Sequence, residues 1–255
     1  VLEPREAIKR MRPYSPPTGG RHDKLRLDFN ENTVGCSPRV AAFLRDALTR
    51  DLLATYPDYE KARFQLAGFL GVQTDELLLT NGTDEAIQVL VNTFVEPGDE
   101  VIVMAPSYAM YRFYAEVAGA RIVEVPYGNE ERGTRNDEAG GAGVHRSSFL
   151  DHRSPRDLSF DISRLESAIT PNTKAILLAN PNNPTGSALS QGDIQNVLGR
   201  ATKSCVLIDE AYFEFHGQTM LPALQRHENL FVSRTFSKAY GMAAMRMGCL
   251  MSSQA

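Results

Sequence analysis

The stretch Ser233-Arg-Thr-Phe-Ser-Lys-Ala-Tyr-Gly-Met-Ala-Ala-Met-Arg246 sets one lysine among hydroxyls and small residues, with an arginine eight positions later. Apolar runs flank it: Asn229-Leu-Phe-Val-Ser-Arg234 leads in and Met247-Gly-Cys-Leu-Met251 leads out. Both read as buried strands, which puts Lys238 on a loop at a strand end, where open α/β sheets carry their chemistry. An amine there can form a Schiff base with a carbonyl if burial or neighbouring positive charge lowers its pKa. Arg246 offers such charge and a clamp for phosphate. Taken alone, the lysine is better read as a solvated surface residue, as most lysines are.

Upstream of this loop, strand and helix alternate in the manner of a mostly parallel sheet with helices on its faces. Lys174-Ala-Ile-Leu-Leu178 runs into Asn180-Pro-Asn-Asn-Pro-Thr-Gly186, and Cys205-Val-Leu-Ile208 runs into Asp209-Glu-Ala-Tyr212. Earlier candidates are Glu76-Leu-Leu-Leu-Thr80, Glu100-Val-Ile-Val-Met104 with its exit through Tyr108, and Arg121-Ile-Val-Glu-Val125. With the two strands around Lys238 this makes seven. The expected fold is therefore α/β, a three-layer αβα arrangement on a mostly parallel seven-stranded sheet. After the first strand, Asn81-Gly-Thr-Asp-Glu85 turns into a helix, and free N–H groups at such a start can hold an anion. The plainer reading of Gly82, Thr83 and Asp84 in isolation is a capped helix end.

Residues 1–36 read as an N-terminal arm, rich in Pro, Gly and basic residues, that ends in Leu25-Arg-Leu-Asp-Phe-Asn-Glu-Asn32 and is laid over something else. Residues 37–255 read as one large domain. Ser37-Pro38 starts a helix reaching Leu48, and a Tyr56-Pro57-Asp58 turn opens a second ending near Gly71. From about 128 to 157 the chain is Gly, Arg, Glu, Asp and Ser with almost no apolar residue, and a mobile insertion is expected. His145 and His152 fall within it without partners at metal-ligand spacing, so no metal site is expected.

Composition excludes several function classes. The chain has 255 residues, 42% hydrophobic and 23% charged, and a net charge of -4, which gives no basic stripe for nucleic acid. No apolar run approaches a membrane span and Val1-Leu-Glu-Pro-Arg-Glu6 is not a signal peptide, so the cytoplasm is the expected compartment. Cys36, Cys205 and Cys249 form no Cys-x-x-Cys pair and read as reduced. There is no Gly-x-Gly-x-x-Gly or Walker-type phosphate loop.

Asn180-Pro-Asn-Asn-Pro-Thr-Gly186, Asp209-Glu-Ala-Tyr212 and Ser237-Lys238 with Arg246, in this order and at strand ends, resemble the fold-type I aminotransferases that use pyridoxal 5'-phosphate. Within them the sequence is most similar to the histidinol-phosphate aminotransferases, from about Tyr14 to Met251 with the insertion excepted. The resemblance implies that Lys238 bonds the cofactor's aldehyde and serves as the catalytic acid and base, and that Asp209 keeps the pyridine nitrogen protonated. It implies that Asn183 and Tyr212 hydrogen-bond the ring oxygen and that Tyr108 stacks on the ring. The phosphate falls to Gly82, Thr83, Asp84, Ser237 and Arg246, with Tyr56 reaching the phosphate of a neighbouring subunit in a homodimer. Tyr14 and Asn30 match substrate-contacting positions.

The implied partners are a small-molecule amino donor, histidinol phosphate, and a 2-oxo acid, 2-oxoglutarate; nucleic acid and membrane are not expected. Aromatic amino-acid aminotransferase, threonine-phosphate decarboxylase and a non-catalytic fragment that binds the cofactor are the alternatives. Such enzymes continue into a smaller domain beyond the point matching Ala255. The expectation is that this chain, lacking that domain, binds cofactor but turns over poorly.

Overall fold

Branched aliphatic residues fill the segments that become strands, and along each strand they divide between two opposite faces. In the computed structural model, which describes residues 2–11, 20–21, 24–128 and 158–253, Ile102, Met104, Ile176, Leu178, Val206 and Ile208 join one buried cluster. Their neighbours Val101, Val103, Ala175, Leu177, Cys205 and Leu207 join the other. This alternation is the pleat of a sheet covered on both sides.

In chain order the elements are α1 (Glu6–Lys9), α2 (Pro38–Ala47), α3 (Arg50–Ala54), α4 (Tyr59–Leu70), β1 (Leu77–Thr80), α5 (Gly82–Phe94), β2 (Glu100–Ala105), α6 (Ala109–Ala118) and β3 (Arg121–Pro126). Then follow α7 (Ile162–Ala168), β4 (Thr173–Ala179), α8 (Gln191–Arg200), β5 (Cys205–Asp209), α9 (Phe213–His216), β6 (Leu230–Thr235) and β7 (Gly248–Ser252). The strands form one sheet in the order β1-β7-β6-β5-β4-β2-β3. From β6 to β3 every pairing is parallel, and β7 runs antiparallel to both β6 and β1. All seven expected strands are present, each within a residue of its expected ends. Helix α3 was not anticipated. Helices α5 and α6 pack on one face through Ile87, Leu90 and Tyr111. Helices α4, α7 and α8 cover the other through Leu66, Leu165, Ile194 and Leu198. The architecture is the expected three layers.

Local signals fix the helix ends. Ser37 accepts from Arg39 N with Pro38 at the first helical position of α2. Asp58 caps α4, which stops at Gly71 in the left-handed region, and Ser190 and Asp193 form a capping box on α8. Because β7 is antiparallel to both of its neighbours, β1 is parallel to β6. Thr80 pairs with Gly248 and Gly248 with Thr235, so the exits of β1 and β6 and the entry to β7 share one edge. Gly248 is required there: a Cβ would lie 2.7 Å from Gly82 C and 2.9 Å from Arg234 O. The exits of β2, β4 and β5 reach the same edge. Tyr14 and residues 129–157, including His145, His152 and the expected insertion, lie outside the described residues.

Candidate active site

Asp209 ends β5, and register places it opposite Ser233 of β6. Its carboxylate is 3% exposed. Oδ1 accepts from Ser233 Oγ at 2.9 Å and Ala211 N at 3.2 Å, and Oδ2 accepts from the Tyr111 phenol at 2.8 Å. Burial pushes the Asp209 pKa up, and the three donors pull it back down. A carboxylate so enclosed favours a cationic N–H as its remaining partner.

Lys238 follows β6 through Phe236 and Ser237. Its Nζ donates to Phe29 O at 2.7 Å and lies 6.0 Å from the centre of the Tyr212 ring. Burial lowers its pKa first of all and Arg246 adds to the lowering, while Asp84, Glu31 and Asp209 oppose it. Burial, more than the arginine, is therefore the cause of the lowering. Tyr212 is half-buried, accepts from Asn30 Nδ2 at 2.9 Å, and has its pKa raised chiefly by burial. The arm thus meets the site through Phe29 and Asn30, and Asn32 Nδ2 fastens it by donating to Ala239 O at 3.0 Å.

A helix start and an arginine stand on the same pocket as the Asp209 carboxylate. Helix α5 begins at Gly82 with no side-chain cap on its first turn, so its leading N–H groups keep donor capacity toward the pocket that Thr83 and Asp84 line. Gly82 has φ +74°, and a Cβ on it would fall 2.7 Å from Arg246 Nη2. Only glycine lets that guanidinium approach the turn. Arg246 Nη2 donates to Asp84 Oδ2 at 3.3 Å, and Tyr108 donates to Asp84 Oδ1 at 2.8 Å. Arg246 carries five N–H donors, of which Nη1 also donates to Ala243 O at 3.5 Å. Ser237 and Thr235 add hydroxyls beside it, hydrogen-bonded to each other at 3.0 Å. These groups line one pocket that is partly open to solvent.

Residues 22–255 match the family described as Aminotransferase class I and II. The chain belongs to that family. A relative from Dehalococcoides mccartyi called histidinol-phosphate aminotransferase is 35% identical over 229 residues, 88% of this chain and 54% of the relative. One of the same name from Symbiobacterium thermophilum is 34% identical over 258 residues, 96% of this chain and 63% of the relative. Among solved structures, histidinol-phosphate aminotransferase from Sinorhizobium meliloti in complex with pyridoxal-5'-phosphate superposes with a TM-score of 0.69. It is 26% identical, and the match covers 88% of this chain and 55% of that one. The chain thus spans about half to two thirds of the length of these class I and II aminotransferases.

Of the residues that the sequence nominated, Thr83, Asp84, Tyr108, Asn183, Asp209, Tyr212, Ser237, Lys238 and Arg246 line one pocket. Gly82 adjoins it through Arg246, and Asn30 touches it through Tyr212. Tyr56 does not join them: it is 98% exposed. Among the described residues no group of His, Cys, Asp or Glu is placed to hold a metal ion. Four residues were missed. Tyr111 was given no role by the sequence, although its i,i+3 spacing from Tyr108 places both phenols on one side of α6. Ser233 and Thr235 lie in the stretch of hydroxyls around Lys238, and Ala211 lies in the Asp209-Glu-Ala-Tyr212 exit, but the sequence assigned none of the three a role.

Proposed function

We propose that this chain is the cofactor-binding portion of a pyridoxal 5'-phosphate-dependent aminotransferase that takes an amino group from histidinol phosphate and passes it to 2-oxoglutarate. The observation that carries the reading is the meeting, in one pocket, of a buried carboxylate, a desolvated lysine and an uncapped helix start with an arginine beside it. These groups fit the parts of that cofactor: Asp209 for the pyridinium N–H, Lys238 for the aldehyde carbon, and Gly82, Thr83, Asp84, Ser237 and Arg246 for the phosphate. Asn183 and Tyr212 suit the ring oxygen, and Tyr108 suits the ring face. Bound, the cofactor supplies an aldehyde that condenses with amines and a protonated ring that withdraws electrons from the substrate α-carbon.

The chain's residues do the rest. Lys238, its pKa lowered by burial, would hold the cofactor's aldehyde carbon and, when free of it, would carry the proton of the substrate α-carbon as acid and base. Tyr212 would orient the ring oxygen. Asn30 holds the Tyr212 phenol and stands at a second hollow lined by Asn183, Pro184, Phe215 and His216, with room for a substrate side chain.

We further infer a homodimer with a division into an arm, residues 1–36, and a large domain from 37 onward. Helices α2 and α3 bury no residue within one chain. Val34, Phe43, Leu53, Tyr56 and Phe64 are each 70% exposed or more, and exposed apolar side chains in such number suit a covered interface. Tyr56 would then serve a neighbour's phosphate. The cysteines are free and no helix among the described residues is long and apolar enough to cross a membrane, which suits the cytoplasm.

The test is a single-turnover assay on cofactor-loaded protein with histidinol phosphate, phenylalanine and threonine phosphate in parallel. Spectral conversion of the cofactor fastest with histidinol phosphate supports the reading. Carbon dioxide release from threonine phosphate, or preference for phenylalanine, would replace it.

A further inference from the structure

Asp209 has two oxygens with about four acceptor positions between them. Ser233 and Ala211 occupy Oδ1 from within the fold, and Ser233 has no surface on the pocket. Tyr111 alone among these three donors uses Oδ2, and it lines the pocket beside Asp209. Tyr111 is itself 1% exposed. Its ring meets the Tyr108 ring edge-on, centroids 5.7 Å apart at 85°, so its rotamer is fixed by packing on α6. One position on Oδ2 is left for a ligand, and the bond that positions this oxygen is the Tyr111 phenol.

We propose that Tyr111 is a positioning residue for the reaction inferred above: its phenol fixes Asp209 Oδ2 as an ionised acceptor and so keeps the shared proton on the cofactor's ring nitrogen. The inference rests on the cofactor proposed above. The physical argument is a balance over one proton. Between a carboxylate and a ring nitrogen the proton sits either on nitrogen, giving an ion pair, or on oxygen, giving a neutral pair. A donor to the carboxylate stabilises the ionised form more than the neutral one, so it moves the proton toward nitrogen, where the ring needs it to accept electrons. Removing the donor moves the proton back to Asp209.

The charged and titratable groups around Asp209 do not supply this bias by themselves. Asp84 on α5 raises the Asp209 pKa. Lys238 from the loop after β6 opposes that effect, and Tyr212 from the loop after β5 is neutral near pH 7. Tyr111 has its own pKa raised by burial and by Asp209, so it remains a protonated donor throughout the working range.

Tyr111→Phe deletes the donor and keeps the ring that packs on Tyr108. In the cofactor-free chain, with aspartate carboxyls labelled with carbon-13, the Asp209 resonance is expected to titrate at higher pH in the variant than in the wild type. In the loaded protein, the visible absorption that reports ring protonation should lose its protonated form at a lower pH, and pyridoxal phosphate should bind on the order of tenfold more weakly, the effect of losing one hydrogen bond to a charged group. An Asp209 titration unchanged by Tyr111→Phe overturns the proposal. A shifted titration in a chain whose wild type fails to bind pyridoxal phosphate would leave the Tyr111–Asp209 coupling standing and overturn the cofactor reading instead. Should Tyr111→Phe not fold, Ser233→Ala removes a donor from the same carboxylate. It is expected to shift the Asp209 titration in the same direction, and no shift there would equally contradict donor control of this acid.

Discussion

Lys238 has given up water for a backbone carbonyl instead of a carboxylate, the 2.7 Å bond from its Nζ to Phe29 O. Its lowered pKa comes from burial before any neighbour's charge, and the sign has a direct consequence. Aldehydes react with the free amine, so a lowered pKa means more reactive lysine at a given pH. Reductive trapping of pyridoxal across a pH series should show Lys238 half-reactive below the ordinary value of 10.5; a midpoint at or above it would show the amine to be solvated. Gly82 is the second residue whose role is steric. At φ +74° with Arg246 Nη2 only 2.7 Å from a would-be Cβ, Gly82→Ala should cost about 1–2 kcal/mol of backbone strain and push the guanidinium off the turn. Binding should then lose its preference for pyridoxal phosphate over pyridoxal, measured by equilibrium dialysis, while a retained preference would separate Arg246 from the phosphate.

At the scale of elements, the exits of β5 and β6 are bolted together beneath the site. Arg234 is buried between Ser233 and Thr235, pairs with Glu210 Oε2 at 2.7 Å, and lies 3.5 Å over the Phe213 ring. Arg234→Met leaves a buried carboxylate unpaired, which typically costs about 3–5 kcal/mol. Burial already raises the Glu210 pKa and Arg234 counters it. Without the arginine the folded-state pKa rises further above the unfolded value, so the loss is small at acid pH and grows as pH rises through the unfolded carboxylate range. Urea unfolding of the variant at pH 4 and pH 7.5 checks this, and equal losses would contradict it. Asn182 performs a similar service for the exits of β2 and β4, donating to Pro106 O at 3.0 Å and accepting from Ser107 Oγ at 2.7 Å. All seven strands were legible because their apolar runs are short and end in turn chemistry. So were the pocket residues at strand exits, since a parallel sheet delivers all of its exits to one edge. Tyr111 and Ser233 were not legible, because a buried phenol or hydroxyl inside an apolar element looks like core until its partner across the sheet is known. The meeting of Asn30 with Tyr212 spans 182 residues, and periodicity carries no information at that range.

For the whole molecule, one chain leaves α2 and α3 without a core of their own, and the homodimer proposed above gives those faces a partner. Sedimentation of cofactor-loaded protein should give the mass of two chains, and Leu53→Glu, which puts a charge on the exposed face, should shift it toward one. A monomer at concentrations that saturate the cofactor would remove the role proposed for Tyr56. The central claim is that this sheet edge assembles a pyridoxal phosphate site on one amine. Its most direct test is borohydride reduction of the chain with saturating pyridoxal phosphate, followed by peptide mapping. The account predicts a label on Lys238 that is lost in Lys238→Ala. A label on another lysine, or none, would contradict it.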